Sequence, residues 1–275
     1  MTSRFSSYVF AFFAVLLWAS LASFSQFVLE VPALLLTGIS LIIGSLISLP
    51  KIKMWNWNWR SIAFGTYGIA GFHIFYFLGL RNAPPIETNL VNYLWPLLII
   101  LFSPVFLKKK LSNYQIAGAI LGFSGAFLAI SSKGFSQESA FQIGYLFSFF
   151  SAIIWSTYSL GLSKAKHSVW QNGVYCFISG ILCLTLSFLT EPTYLPTKKD
   201  WLILLLIGIG PLGASFYLWD YSIKKIGAVA VAPISYLTPV ISTGLLSIAL
   251  YQVPSNVLLL AVLFVIAGVI LGNRK

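Results

Sequence analysis

"LVNYLWPLLII", residues 90–100, reads as the interior of a membrane helix carrying two defects. Asn92 places an amide where lipid offers no partner. Pro96 has no N–H to donate and crowds the carbonyl four residues earlier. A second version, "PISYLTPVIST", occupies 233–243, with Tyr236, Leu237 and Pro239 standing 143 residues after Tyr93, Leu94 and Pro96. The same defect written twice predicts one structural element built twice.

The rest of the chain supplies the membrane. Of 275 residues, 58% are hydrophobic and 8% charged, and the mean hydropathy is +0.89. Apolar runs of about 18 or more residues mark membrane-spanning helices. Ten such stretches can be read, at 7–28, 33–50, 61–80, 86–106, 112–131, 142–163, 168–189, 201–223, 228–248 and 254–272. The expected class is an all-α polytopic membrane protein.

A net charge of +11 would suggest nucleic acid in a soluble chain, but here it follows the loops. With a cytoplasmic N-terminus, 13 Lys and Arg fall inside and 4 outside (Arg81, Lys133, Lys198 and Lys199). Basic loops stay cytoplasmic, so both termini are expected inside and no nucleic-acid partner is expected. "KIKMWNWNWR" (51–60) fits an interfacial belt of indoles among cations, the alternative being a partner surface. Cys176 and Cys183 are seven residues apart on one helix. That is about 10 Å of rise, too far for a disulfide, so they read as packing residues.

Internal repetition organises the whole. "YVFAFFAVLLWAS" (8–20) and "YLFSFFSAIIWST" (145–157) share five of thirteen residues, among them Trp18 and Trp155. Gly125 falls on Gly268 at the offset that relates Pro96 to Pro239. Two five-helix units follow, 1–133 and 141–275. Five is odd, so the second must enter the membrane from the opposite side, giving a 5+5 inverted repeat around a central cavity. "SLA" at 20–22 resembles a leader cleavage site, but the twin of the first helix is internal, so 7–28 is expected to be retained.

Helical spacing puts Asn89, Asn92, Tyr93 and Pro96 on one face, and Ser235, Tyr236, Pro239 and Ser242 or Thr243 on its counterpart. One reading has these faces meet across a cavity, freed carbonyls and Asn oxygens holding an ammonium and Asn amides and Tyr hydroxyls a carboxylate. The other has the prolines only kink helices, neighbouring hydroxyls satisfying the backbone. Trp18 and Trp155 are either stacking platforms for an aromatic or cationic solute or packing residues. His73, in the third stretch, is either a proton-coupling site or a buried, hydrogen-bonded histidine. Glu87 is either the acid of a helix N-terminus or a gate and proton acceptor. Asp220 with Lys224 four residues on reads as a local ion pair.

These features resemble the drug/metabolite transporter superfamily and its EamA-type repeat. "NYLWPLLIILFSP" (92–104) and "FYLWDYSIKKIGAVAVAPISYLTPVIST" (216–243) are similar to its aromatic amino acid exporter branch. The resemblance spans nearly the whole chain. It implies a basket of helices around a central cavity, export of amino acids and related metabolites, and lining by Trp18, Tyr76, Asn92, Trp95, Trp155, Trp219 and Tyr236. Many EamA-type repeats carry Gly-Glu between the two helices that close each half, where this chain has Lys109-Lys110 and Tyr251-Gln252.

Other classes fit less well. "GFSG" (122–125) matches an intramembrane serine protease motif, with His73 or His167 as notional base, yet the twin of Ser124 is Ala267. A glycine packing seam with Gly118 explains it better. The His and Cys lack metal-ligand spacing and there is no Walker motif, so no cofactor is expected. A cationic-drug exporter would want an acid central to the first helix, which has none between Tyr8 and Val28, and nucleotide sugars would want mid-depth cations. The expected protein is a transporter exporting a small zwitterion by alternating access, a monomer in a bacterial inner membrane. Pro96 and Pro239 would be its hinges. Proton antiport and facilitated diffusion both stay open.

Overall fold

The computed structural model describes residues 2–107, 110, 112–131, 142–227, 231, 234–235, 237–272 and 274. Tyr236, Lys108, Lys109, Lys133 and Lys275 lie outside them, as does the junction between the two expected units. The described residues are helical, with no strand among them. Apolar helices are the solution lipid imposes, because each must satisfy its own backbone polar groups. In order they are α1 (Thr2–Gln26), α2 (Ala33–Ser45), α3 (Trp59–Thr66), α4 (Phe72–Asn82), α5 (Pro85–Asn92), α6 (Trp95–Leu107) and α7 (Asn113–Ser131). Then follow α8 (Ile143–Leu162), α9 (Asn172–Thr190), α10 (Lys198–Ile209), α11 (Ser215–Ile226), α12 (Leu237–Ala249) and α13 (Asn256–Gly272).

Among the described residues six helical spans are long and apolar enough to cross a membrane: Phe5–Gln26, Trp59–Asn82, Pro85–Phe106, Ile143–Leu162, Val169–Thr190 and Lys198–Ile226. Helices α2, α7, α12 and α13 fall in the other four apolar stretches. The second stretch stops early as α-helix. After Ser45 the chain tightens into a 3-10 helix, Leu46–Met54, that contains Pro50 and leaves helical geometry at Lys51. Of the interfacial tryptophans, Trp57 and Trp59 are exposed. Trp55 turns inward instead, its indole N–H donating to Ser48 Oγ at 2.9 Å. Gln171 clamps this segment, accepting from the Asn56 N–H and donating to its carbonyl, both at 2.7 Å.

Two spans are interrupted by one turn of π-helix each, Tyr67–Gly71 between α3 and α4 and Gly210–Ala214 between α10 and α11. They stand at the 143-residue offset that relates Pro96 to Pro239. Pro211 accounts for the second, since its ring cannot enter an α-turn without meeting the carbonyl of Ile207. Widened turns leave carbonyls to satisfy, and side chains one turn on supply donors. His73 Nδ1 lies 2.7 Å from the Ile69 carbonyl, and Ser215 Oγ donates to the Pro211 carbonyl at 2.5 Å.

The packing interleaves the two halves of the sequence. Helix α1 lies against α11 and α12, while α8 lies against α4, α5 and α6. Helix α2 packs on α9, and α7 on α13. Lipid tails give apolar helices little reason to associate, so close approach over small residues does the work. A Cβ added to Gly268 would stand 2.6 Å from the Gly118 carbonyl and the Gly122 amide nitrogen. The glycines of "GFSG" therefore form a seam. Ser124 Oγ donates back to Ile120 O at 2.9 Å.

Helix α12 ends on a tyrosine in an unusual place. The Gln252 N–H donates to the Ser247 carbonyl (2.9 Å) and the Tyr251 N–H to the Ile248 carbonyl (3.2 Å). These paired bonds close a helix when the residue between adopts the left-handed region, a task usually given to Gly. Here Tyr251 takes it, at φ = +52°, and its side chain is 98% exposed. Tyr251→Gly is expected to stabilise the protein by about 0.5–1 kcal/mol, the relief of left-handed strain exceeding the lost chain entropy. Thermal unfolding in detergent checks it, and a lower Tm for the variant would contradict the strained ending.

Candidate functional site

The defect in the opening stretch is a full break. Helix α5 ends at Asn92, Tyr93 leaves helical geometry (φ −67°, ψ 8°), and α6 begins at Trp95. Pro96 is thus the second residue of a new helix, where a missing N–H costs nothing, and the reading of it as a mid-helix kink gives way to this one. Pro239 is likewise third in α12. Pro96 is not among the described residues bordering the cavity described next.

At the break lies a cavity bordered by Trp18, Leu21, Phe72, Tyr76, Asn89, Asn92, Tyr93, Trp95, Trp155, Phe216 and Thr238. None of these described residues is charged. Helices from both halves of the sequence contribute, and tryptophan makes most of one side. Trp18 meets Trp155 edge to face with ring centroids 5.2 Å apart, and Trp219 at 5.1 Å. Trp95 meets Trp219 at 5.7 Å, nearly perpendicular. Such pairs contribute about 0.5–1.5 kcal/mol each beyond the area they bury. Phe72 lies against Trp155 at 5.2 Å and stacks on Tyr76 at 5.5 Å.

The same wall carries a polar seam. Tyr76 Oη donates to Asn89 Oδ1 at 2.9 Å. Asn89 Nδ2 donates to Ser242 Oγ on α12 at 2.7 Å, with Tyr93 Oη at 3.2 Å. Asn92 Nδ2 donates to Ser151 Oγ on α8 at 2.6 Å, Ser151 to the Ser148 carbonyl at 2.7 Å, and Ser148 to the Thr88 carbonyl at 2.6 Å. Ser156 Oγ reaches the Trp95 carbonyl at 3.0 Å, just beyond the break. Both asparagines therefore tie one half of the chain to the other through amide N–H groups.

Seven residues singled out from sequence border the cavity: Trp18, Tyr76, Asn89, Asn92, Tyr93, Trp95 and Trp155. Trp219 stands one layer behind, buried against Trp18 and Trp95, with its indole N–H unpartnered. Ser235 is buried but not on the wall, and Tyr236 is outside the described residues. His73 is buried between Phe72, Phe77 and Phe216. Its Nδ1–H serves the Ile69 carbonyl, and its Nε2 has no hydrogen-bond partner. Glu87 is buried in the first turn of α5, the position where a carboxylate suits a helix N-terminus. Asp220 is paired with Lys224 at 2.9 Å and accepts from Asn172 at 3.0 Å.

Sequence reasoning missed Leu21, Phe72, Phe216 and Thr238. Signals existed for three of them. Leu21 is one turn beyond Trp18, Phe72 one turn before Tyr76, and Thr238 stands 143 residues after Trp95.

The room left inside is small, about 30 Å³. A void of that size holds roughly one or two waters. The rings must separate before anything the size of an amino acid can enter.

The model of the EamA-like transporter family matches the chain twice, at residues 5–131 and 142–274. The chain belongs to the EamA-like transporter family. As a member of it, with six spans of membrane-crossing length, it is an integral membrane transporter. The aromatic amino acid exporter YddG of Ancylobacter novellus is 33% identical over 97% of this chain and 96% of its own length. The probable terminal-alkyne amino-acid exporter of Streptantibioticus cattleyicolor is 23% identical over 77% and 71%. A solved crystal structure, 33% identical, superposes with a TM-score of 0.79 over 97% of this chain and 98% of its own.

Proposed function

We propose that this EamA-family transporter exports amino acids, aromatic ones among them, through the cavity at the helix break. The carrying observation is a wall whose described residues carry no charge and bring four aromatic rings, Trp18, Phe72, Trp95 and Trp155, together with the Asn89 and Asn92 amides. An aromatic side chain would lie among the rings. Its carboxylate would take N–H and O–H donors from the asparagines and Tyr76 or Tyr93, and its ammonium the amide oxygens and the Asn92 carbonyl, to which Pro96 has no N–H to offer. The names of the relatives agree with this reading. A permanent cation would gain less, since no carboxylate is among the described residues bordering the site.

The architecture is read as a 5+5 inverted repeat, 1–133 and 141–275, with ten spans and both termini cytoplasmic in a bacterial inner membrane. The double match of the family model, the paired π turns and the interleaved packing of α1 and α8 support it. Each half would rock on the other around the cavity, bending near Pro96 and Pro239 and separating the rings. His73, with a free lone pair on Nε2, is the group proposed for proton coupling, and Glu87 the second.

Counterflow into proteoliposomes tests the reading. Labelled tryptophan and phenylalanine are expected to exchange, and a quaternary ammonium dye is not. Dye exchange without amino acid exchange would overturn it. A rate that His73→Gln leaves unchanged while an imposed pH gradient still drives it would remove His73 from coupling.

A further inference from the structure

A second concavity lies where α3 begins and α8 ends. Both are ends of membrane-crossing spans, Trp59–Asn82 and Ile143–Leu162, so the site sits at headgroup depth whichever way the chain is oriented. It is an open cleft of about 370 Å³, and Arg60, Lys164 and Lys166 stand around it with no carboxylate among the described residues of its wall. All three cations are exposed. Lys164 is held in place by donating to the Phe106 carbonyl, and the Arg60 guanidinium lies over the Trp59 ring at 5.6 Å. The acid behind the cleft, Asp220, is already engaged by Lys224. His167, also on the wall, is pushed down to about 4 by burial and then by the Lys224 charge, so it is neutral at physiological pH and adds no fourth cation.

The remaining wall is apolar or closed. Phe64 fills the space beside Gly161, where a Cβ would stand 2.7 Å from the Phe64 ring. Ser61 Oγ and Tyr175 Oη, 2.7 Å apart, shut the floor. Between this floor and the central cavity stand Phe64, Tyr158 and Trp155 in successive ring contact, at 4.9 and 5.4 Å. The cleft therefore does not open into the cavity. The exposed indole of Trp59, under the Arg60 guanidinium, marks the membrane interface at this end of the span.

We propose that this cleft binds the phosphate headgroup of an anionic phospholipid, Arg60, Lys164 and Lys166 holding the phosphate and Phe64 flanking the start of an acyl chain. Three cations without counter-charge at headgroup depth favour a lipid over a dissolved anion, because the lipid phosphate is delivered to that depth by its own chains.

Native mass spectrometry tests this on the full chain released from micelles holding equal phosphatidylglycerol and phosphatidylcholine. One phosphatidylglycerol is expected to be retained in preference to phosphatidylcholine. Each cation neutralised should weaken retention roughly fivefold, so Arg60→Gln/Lys166→Gln should lose about 25-fold. Lys51→Gln/Lys53→Gln, exposed cations away from the cleft, should lose nothing. Equal retention of the two lipids, or undiminished retention by the cleft variant, would overturn the proposal. Displacement of the lipid by millimolar inorganic phosphate would instead make it a free-anion site, and displacement by tryptophan a substrate antechamber. The readout is lipid mass, so it fails or succeeds independently of any transport result.

Discussion

Asn92→Leu is expected to lower tryptophan exchange by about 10- to 100-fold while the protein still inserts and folds. Leucine keeps the same branched outline but cannot donate to Ser151 or present an amide to the cavity. Ser151 keeps its other bond, to the Ser148 carbonyl at 2.7 Å, so the fold loses little. A substrate polar group left without its partner in a closed site costs about 1–3 kcal/mol, which sets the size of the loss. Initial counterflow rates, normalised to protein recovered in the liposomes, decide it. Asn92→Ala should behave likewise, and rates within twofold of the parent in both would remove Asn92 from the site.

The second large effect concerns the seat of Tyr158. A Cβ on Gly68, in the first π turn, would lie 2.1 Å from Cδ2 of the Tyr158 ring. That ring cannot give way easily, because Trp155 and Phe64 pack against it at 5.4 and 4.9 Å. Gly68→Val should therefore cost about 1–3 kcal/mol, as overpacked cores do, and push Trp155 into the small cavity. Both Tm and exchange should fall. Adding Tyr158→Ala should restore part of the Tm, since the clash and its relief are coupled neighbours. A Tm unchanged in Gly68→Val would mean that the first π turn and α8 do not approach this closely.

Sequence reasoning reached the helical class because ten apolar stretches leave lipid no other fold to accept. It reached the break through Asn92 and Pro96, two residues that a continuous lipid-facing helix would not carry together. It did not reach the nature of that break. Proline reads as a kink wherever it falls in an apolar run, and only the geometry at Tyr93 shows that a new helix starts at Trp95. The π turns were not legible, because widening one turn changes no composition, and Pro211 was the single local hint. Depth was equally hidden. Trp18 and Trp219 are alike in sequence, yet Trp18 borders the cavity and Trp219 backs it, a difference set by how α1 crosses α11.

The account rests on the cavity at the break being the place where an aromatic amino acid binds. Equilibrium binding of labelled tryptophan to the detergent-purified protein, beside Asn92→Leu, addresses that most directly. Saturable binding by the parent, weakened at least tenfold in the variant, is the expected result. Equal binding by both proteins would place the amino acid elsewhere and contradict the account.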